Sequence, residues 1–143
     1  MSHITKIGLK IRDLTAVAEA AAHCNLDLRL NQKTHIWWGE RYQSGSRVDG
    51  TCEHALRLKD HRQGDYEIGL VRAADGDGFE LAMDSYGQAR LLAAIGGLDG
   101  DKLKREYAAA VATKRAKAKL APKGFTVRRE DVGNRIRLHL VRR

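Results

Sequence analysis

Apolar and polar residues change their spacing several times along the 143-residue chain, and each change marks an element. Ile7, Leu9 and Ile11 alternate with Gly8, Lys10 and Arg12, the period of a strand with one wet face. Asp13 follows, a residue suited to capping a helix, and Leu14, Val17, Ala18 and Ala21 then recur at helical spacing to about His23. Leu26, Leu28 and Leu30 return to alternation, so the chain opens β-α-β. Between Gln32 and Glu53 the pattern weakens: His35-Ile36-Trp37-Trp38 reads as a short strand, and residues 44–51 have loop composition. Leu56 and Leu58 predict a further strand. Tyr66, Ile68 and Leu70 then face Phe79, Leu81 and Met83 across Ala74-Asp75-Gly76-Asp77-Gly78, whose Asp-Gly steps supply the positive φ of a tight hairpin.

Gln88 to Ile95 predicts a short helix closed by Gly96-Gly97. Asp99 or Asp101 can cap a long helix running to about Leu120, with Leu103, Tyr107, Ala110, Val111, Ala118 and Ala121 on one side; Pro122 and Gly124 end it. Phe125 and Val127, then Ile136, Leu138 and Leu140, predict a closing antiparallel pair joined through Glu130 to Asn134. These elements predict one domain, residues 1–143, of the α+β class. The expected architecture is an antiparallel or mixed sheet of about six strands with two main helices on one face, ferredoxin-like in part.

Met1-Ser2-His3-Ile4-Thr5-Lys6-Ile7 with Ile11-Arg12-Asp13-Leu14 resembles the opening of a domain-of-unknown-function family. Its members are small bacterial, phage and plastid proteins that begin Met-Ser-His-Phe, and Ile4 stands here in place of the Phe. Residues 66–72 with Gly78-Phe79-Glu80-Leu81 resemble the family's central hairpin. Arg105-Glu106-Tyr107-Ala108, Gly124-Phe125-Thr126-Val127 and Ile136-Arg137-Leu138 resemble its closing helix and strand pair. Gln32 to Cys52 has no counterpart. The resemblance implies neither an activity nor catalytic residues.

Composition, 43% hydrophobic and 31% charged, is that of a globular chain. No apolar run approaches bilayer length and the N-terminus lacks a leader pattern, so a cytoplasmic protein without a membrane partner is expected. Cys24 and Cys52, with no CxxC neighbour, read as free thiols of a reducing compartment.

Charge changes the picture more. Residues 102–143 hold fourteen Lys and Arg against three acids, a net of +11, whereas residues 1–101 hold twelve against fifteen, a net of −3. If Phe125, Val127, Ile136, Leu138 and Leu140 face the core, alternation turns Thr126, Arg128, Arg135, Arg137 and His139 outward. Lys114, Arg115, Lys117 and Lys119 form a second basic surface on the helix. The planar guanidinium fork grips phosphate with two donors, which makes Arg115, Lys119, Arg128, Arg135 and Arg137 the candidate contacts for nucleic acid or an acidic protein. The plain alternative is that these charges solubilise a small sheet and guard its edge. The chain has no helix-turn-helix pattern and no RNP aromatics, so contact through the phosphate backbone is expected.

A second candidate is Trp37-Trp38-Gly39-Glu40-Arg41-Tyr42. In an extended segment one Trp can enter the core while the other stays outside, so Trp37, Trp38, Arg41 and Tyr42 are candidate contacts for a base or for a protein partner, as in an adaptor or inhibitor; the plain alternative is that both rings cover the sheet. The six histidines show no zinc spacing. Asp75-Gly76-Asp77-Gly78 begins like a calcium loop but has Tyr86 where the twelfth-position acid belongs. His23 and Cys24 diverge by about 100° on a helix and cannot form an activated thiol pair. The chain therefore reads as a basic, non-enzymatic binding module without metal or cofactor, whose acidic two-thirds allow copies to associate head to tail.

Overall fold

In the computed structural model, residues 4–37, 50–84 and 88–143 are described. The opening alternation becomes β1 (Ile4–Ile11), and Asp13 caps α1 (Leu14–His23) by accepting the Ala16 N–H at 3.0 Å. The chain then meanders through β2 (Leu26–Arg29), β3 (His54–Leu58), β4 (Ile68–Arg72) and β5 (Phe79–Asp84). β5 returns beside β1, giving a five-stranded sheet of order β1-β5-β4-β3-β2 in which every pair is antiparallel. β1 and β2 stand at opposite edges with α1 crossing between them, so the β-α-β opening does not build the ferredoxin-like arrangement.

Two further helices follow, α2 (Ala89–Ile95) and α3 (Asp101–Leu120), then a 3-10 turn at Ala121–Lys123. The last strands, β6 (Phe125–Val132) and β7 (Arg135–Arg142), do not extend the sheet to six but form a two-stranded ribbon of their own. Gly124, with φ of 86°, turns the chain back so that the ribbon lies against α3. The class is α+β, with α1 and α3 as the two main helices.

One sheet face carries Ile7, Ile11, Leu26, Leu56, Leu58, Ile68, Leu70, Phe79, Leu81 and Met83, all buried. Against them pack Ala16, Val17, Ala20 and Ala21 of α1, Leu91 and Ile95 of α2, and Leu103, Tyr107 and Ala110 of α3. Each large aliphatic side chain buried here contributes about 2 kcal/mol. The alanines of α1 let α3 approach closely, and α3 grips the β1–α1 corner twice. The Tyr107 hydroxyl accepts the N–H groups of Arg12 (3.0 Å) and Asp13 (3.2 Å), and Lys114 Nζ donates to Asp13 at 2.7 Å and Thr15 at 2.9 Å.

Three local expectations are corrected. Gly100, left-handed at φ 65°, takes the N-cap position of α3, with Asp101 inside the first turn and no side-chain cap. β2 stops at Arg29 because Asn31 turns to φ 61° and gives its N–H to His54 Nδ1, which leaves Leu30 58% exposed. Thr34 makes a single bridge with Thr51 where a strand at 35–38 was expected; His35 to Trp37 lie in no strand, and Trp38 lies outside the described residues.

Residues 32–37 form a strap instead. His35 N–H donates to the Gly50 carbonyl and Cys52 N–H to that of Lys33. Buried Glu67 accepts from Gln32 Nε2 and the Ile36 N–H, both at 2.9 Å. A Cβ on Gly69 would stand 2.5 Å from His35 Nδ1, so only glycine fits beneath the strap.

The Asp13 carboxyl is held well below the usual carboxylate range, first by the hydrogen bond from Lys114 and then by those from Thr15 and the Ala16 N–H. Its contribution to stability is therefore full above about pH 4, the unfolded value, and is lost as pH falls toward its folded one. Asp13→Ala should cost about 1–2 kcal/mol at neutral pH in urea unfolding, a gap that narrows below about pH 4. A gap that is constant with pH would contradict the role of the charge.

Candidate nucleic-acid interface

Gly133, at φ 58°, opens the two-residue turn that joins the eight-residue strands β6 and β7. Pairing runs from Phe125 opposite Arg142 to Val132 opposite Arg135. Phe125, Val127, Arg129 and Asp131 thus share a face with Ile136, Leu138, Leu140 and Arg142. Val127, Arg129 and Leu138 from this face line a cleft of about 190 Å³ with Glu19 and His23 of α1 and Ala109, Thr113 and Lys117 of α3.

The docking contact is Arg129 to Glu106. Glu106 is only 5% exposed on α3, and its Oε1 accepts from Arg129 Nη2, while Arg129 Nε donates to Asp131 at 2.9 Å. The hydrogen bond with Glu106 raises the Arg129 pKa further, so the guanidinium is permanently charged. His23 Nδ1 stands 3.9 Å from the same carboxylate oxygen. Sequence reasoning passed over both residues. The signal was present: Arg129 has the inward parity of Phe125 and Val127, and Glu106 lies beside Leu103 and Ala110 on the apolar side of the helix.

The opposite ribbon face carries Thr126, Arg128, Glu130 and Val132 on β6 and Arg135, Arg137, His139 and Val141 on β7. Arg128, Arg135 and Arg137 are exposed, so the three arginines do share one solvent face. Glu130 sits among them, 3.4 Å from Arg137 Nη1 and 3.6 Å from His139 Nε2. At the turn, Arg135 meets Lys102 and Arg105 of α3 around a cleft of about 220 Å³. Arg128, Arg135, Lys102 and Arg105 make no ion pair among the described residues. At the open end stand Lys123, Arg143 and Arg142, whose guanidinium lies 4.7 Å from the centre of the Phe125 ring.

Arg115 lies elsewhere. It lines a groove of about 760 Å³ between β1 and α3, with Leu9, Val111 and Ala118, on the flank of the helix turned from the ribbon. Lys119, exposed one turn further along, belongs to that same outer side of α3. The five candidate anion contacts therefore fall on two surfaces, and the basic helix residues that meet Arg135 are Lys102 and Arg105.

Trp37 is 4% exposed and so buried, which removes it as a partner contact; Trp38, Arg41 and Tyr42 lie outside the described residues. Asp75 and Asp77, at the tip of the β4–β5 hairpin, pair with Lys10 at 2.7 Å and Arg12 at 2.9 Å. Cys52 is buried under the strap, and burial pushes both thiols up to about 11, so each keeps its proton at neutral pH. No helix among the described residues is long and apolar enough to cross a membrane. Comparison with protein-family models, curated proteins and solved structures finds no match to the chain.

Replacing Arg129 by Ala strips the buried Glu106 of its charge partner and should cost about 1–3 kcal/mol, concentrated in the ribbon. Amide hydrogen exchange should quicken in β6 and β7 while β3 to β5 keep their protection. The double replacement Glu106→Leu/Arg129→Met should recover most of the loss. Uniform loss of protection across the sheet would show that the pair does not act locally.

Proposed function

We propose that the protein is a small non-enzymatic binding module that engages a polyanion, nucleic acid foremost, through the outer face and turn end of the β6–β7 ribbon. One observation carries the reading. Arg128, Arg135 and Arg137 share a solvent-facing side, and Arg135 converges with Lys102 and Arg105 on one cleft. The acids near them, Glu130, Asp131 and Glu106, contact Arg137, Arg129 and Arg129 respectively. Arginine forks on a rigid strand pair suit phosphate oxygens, and their summed field attracts a polyanion from a distance. The ribbon needs no cofactor for this. Kinship with the Met-Ser-His-Phe family and residence in the cytoplasm belong to the same proposal, as does self-association through the acidic two-thirds of the chain.

Fluorescence anisotropy with generic DNA and RNA across a salt series tests it. Affinity should fall steeply as salt rises, because each neutralised phosphate adds about 0.9 to the log–log slope. Arg128→Gln/Arg135→Gln/Arg137→Gln should lower that slope by about 2–3, and Arg115→Gln/Lys119→Gln should leave it nearly unchanged. No binding at low salt, or affinity indifferent to salt, overturns the reading. A stoichiometric protein partner that survives nuclease and tolerates the triple substitution would replace nucleic acid with a protein ligand.

A further inference from the structure

We infer that the ribbon's outer face reads the major groove of B-form duplex DNA, a deepening that rests on the polyanion reading above. Shape comes first. A two-stranded ribbon is one of the two elements that a major groove about 12 Å wide admits, the other being a helix. β6 and β7 are eight residues each, paired end to end, and their inner face is docked on α3 by Arg129. The other face is free to enter a groove while the helices stay behind it as a platform.

The order of side chains along that face is the second observation. Its middle rows are Arg128 opposite His139 and Glu130 opposite Arg137. A surface meant only for phosphate gains nothing from a carboxylate at its centre. Base edges present both kinds of partner: guanine O6 and N7 accept from arginine, and the cytosine amino group donates to a carboxylate. Glu130, now held by Arg137 and His139 at 3.4 and 3.6 Å, can exchange those contacts for a base amino group and release the arginine to a guanine.

Uncompensated cations then stand at both ends. Lys102, Arg105 and Arg135 flank the turn, and Lys123, Arg142 and Arg143 flank the open end. That division places phosphate contacts at the margins, where they fix register, and mixed donors and acceptors in the middle, where sequence is read.

Duplex RNA offers no equivalent, since its major groove is too deep and narrow for a ribbon, and single strands have no groove. Anisotropy at one fixed salt should therefore give random duplex DNA about tenfold tighter binding than duplex RNA or single-stranded DNA. Dimethyl sulfate footprinting should show guanine N7, a major-groove atom, protected in the complex. Selection from a random duplex pool should yield a preference that shifts in Glu130→Gln and Arg137→Gln. Lys102→Gln/Arg105→Gln should weaken all sequences alike and lower the salt slope. Equal affinity for DNA and RNA duplexes, or unprotected N7, overturns groove reading while leaving polyanion binding in place. Failure to bind any of these probes overturns both.

Discussion

The buried carboxylate of Glu106 decides where the last third of the chain goes. A charge removed from water costs several kcal/mol unless a partner answers it, and Arg129 on β6 is that partner. The next residue, Tyr107, is directed about 100° around the helix and receives the backbone N–H groups of Arg12 and Asp13. Two consecutive residues of α3 thus fasten opposite layers, one to the ribbon and one to the corner of the sheet. The helix is the rigid ruler between them. The position of the ribbon's outer face follows from this contact together with the packing of Val127 and Leu138 beside α1 and α3.

Charge segregation along the chain carries over to the surface in part because six acids of the first 101 residues are paired with bases of that same stretch. Asp60 and Asp65 hold Arg90, Glu53 holds Arg72, Glu80 holds Lys6, and Asp75 and Asp77 hold Lys10 and Arg12. Lys114 to Asp13 crosses between the two parts of the chain, and it serves the α1 cap. The basic third receives little neutralisation from the acidic two-thirds. Its excess therefore remains on two fronts, the helix flank that bears Arg115 and the ribbon face with its turn-end cleft.

Legibility in the sequence followed the range of the forces involved. The β4–β5 hairpin, the Asp13 cap and the outward parity of Arg128, Arg135 and Arg137 are set by neighbours a few residues apart, and all can be read from spacing. Alternation at β6 and β7 shows that one face is apolar but not what covers it; the covering surface is α3, so a strand pair that looked like sheet became a separate ribbon. The strap at 32–37 was illegible for a related reason. Its hydrogen bonds close on Glu67, roughly thirty residues away, and nothing local announces such a bond. Arg129 was not legible because the carboxylate that answers its inward guanidinium lies on another element.

β1 has a single neighbour in the sheet, β5, and Ile11 meets Phe79 only after roughly seventy intervening residues have been laid down. A contact of that range carries a large loop-closure cost and forms slowly. The ribbon, by contrast, closes through a two-residue turn and can zip on its own timescale. The first strand made thus closes the pairing of longest sequence range among the described strands. Lys10 and Arg12, reaching for Asp75 and Asp77 at the tip of the β4–β5 hairpin, are placed to guide it to the open edge.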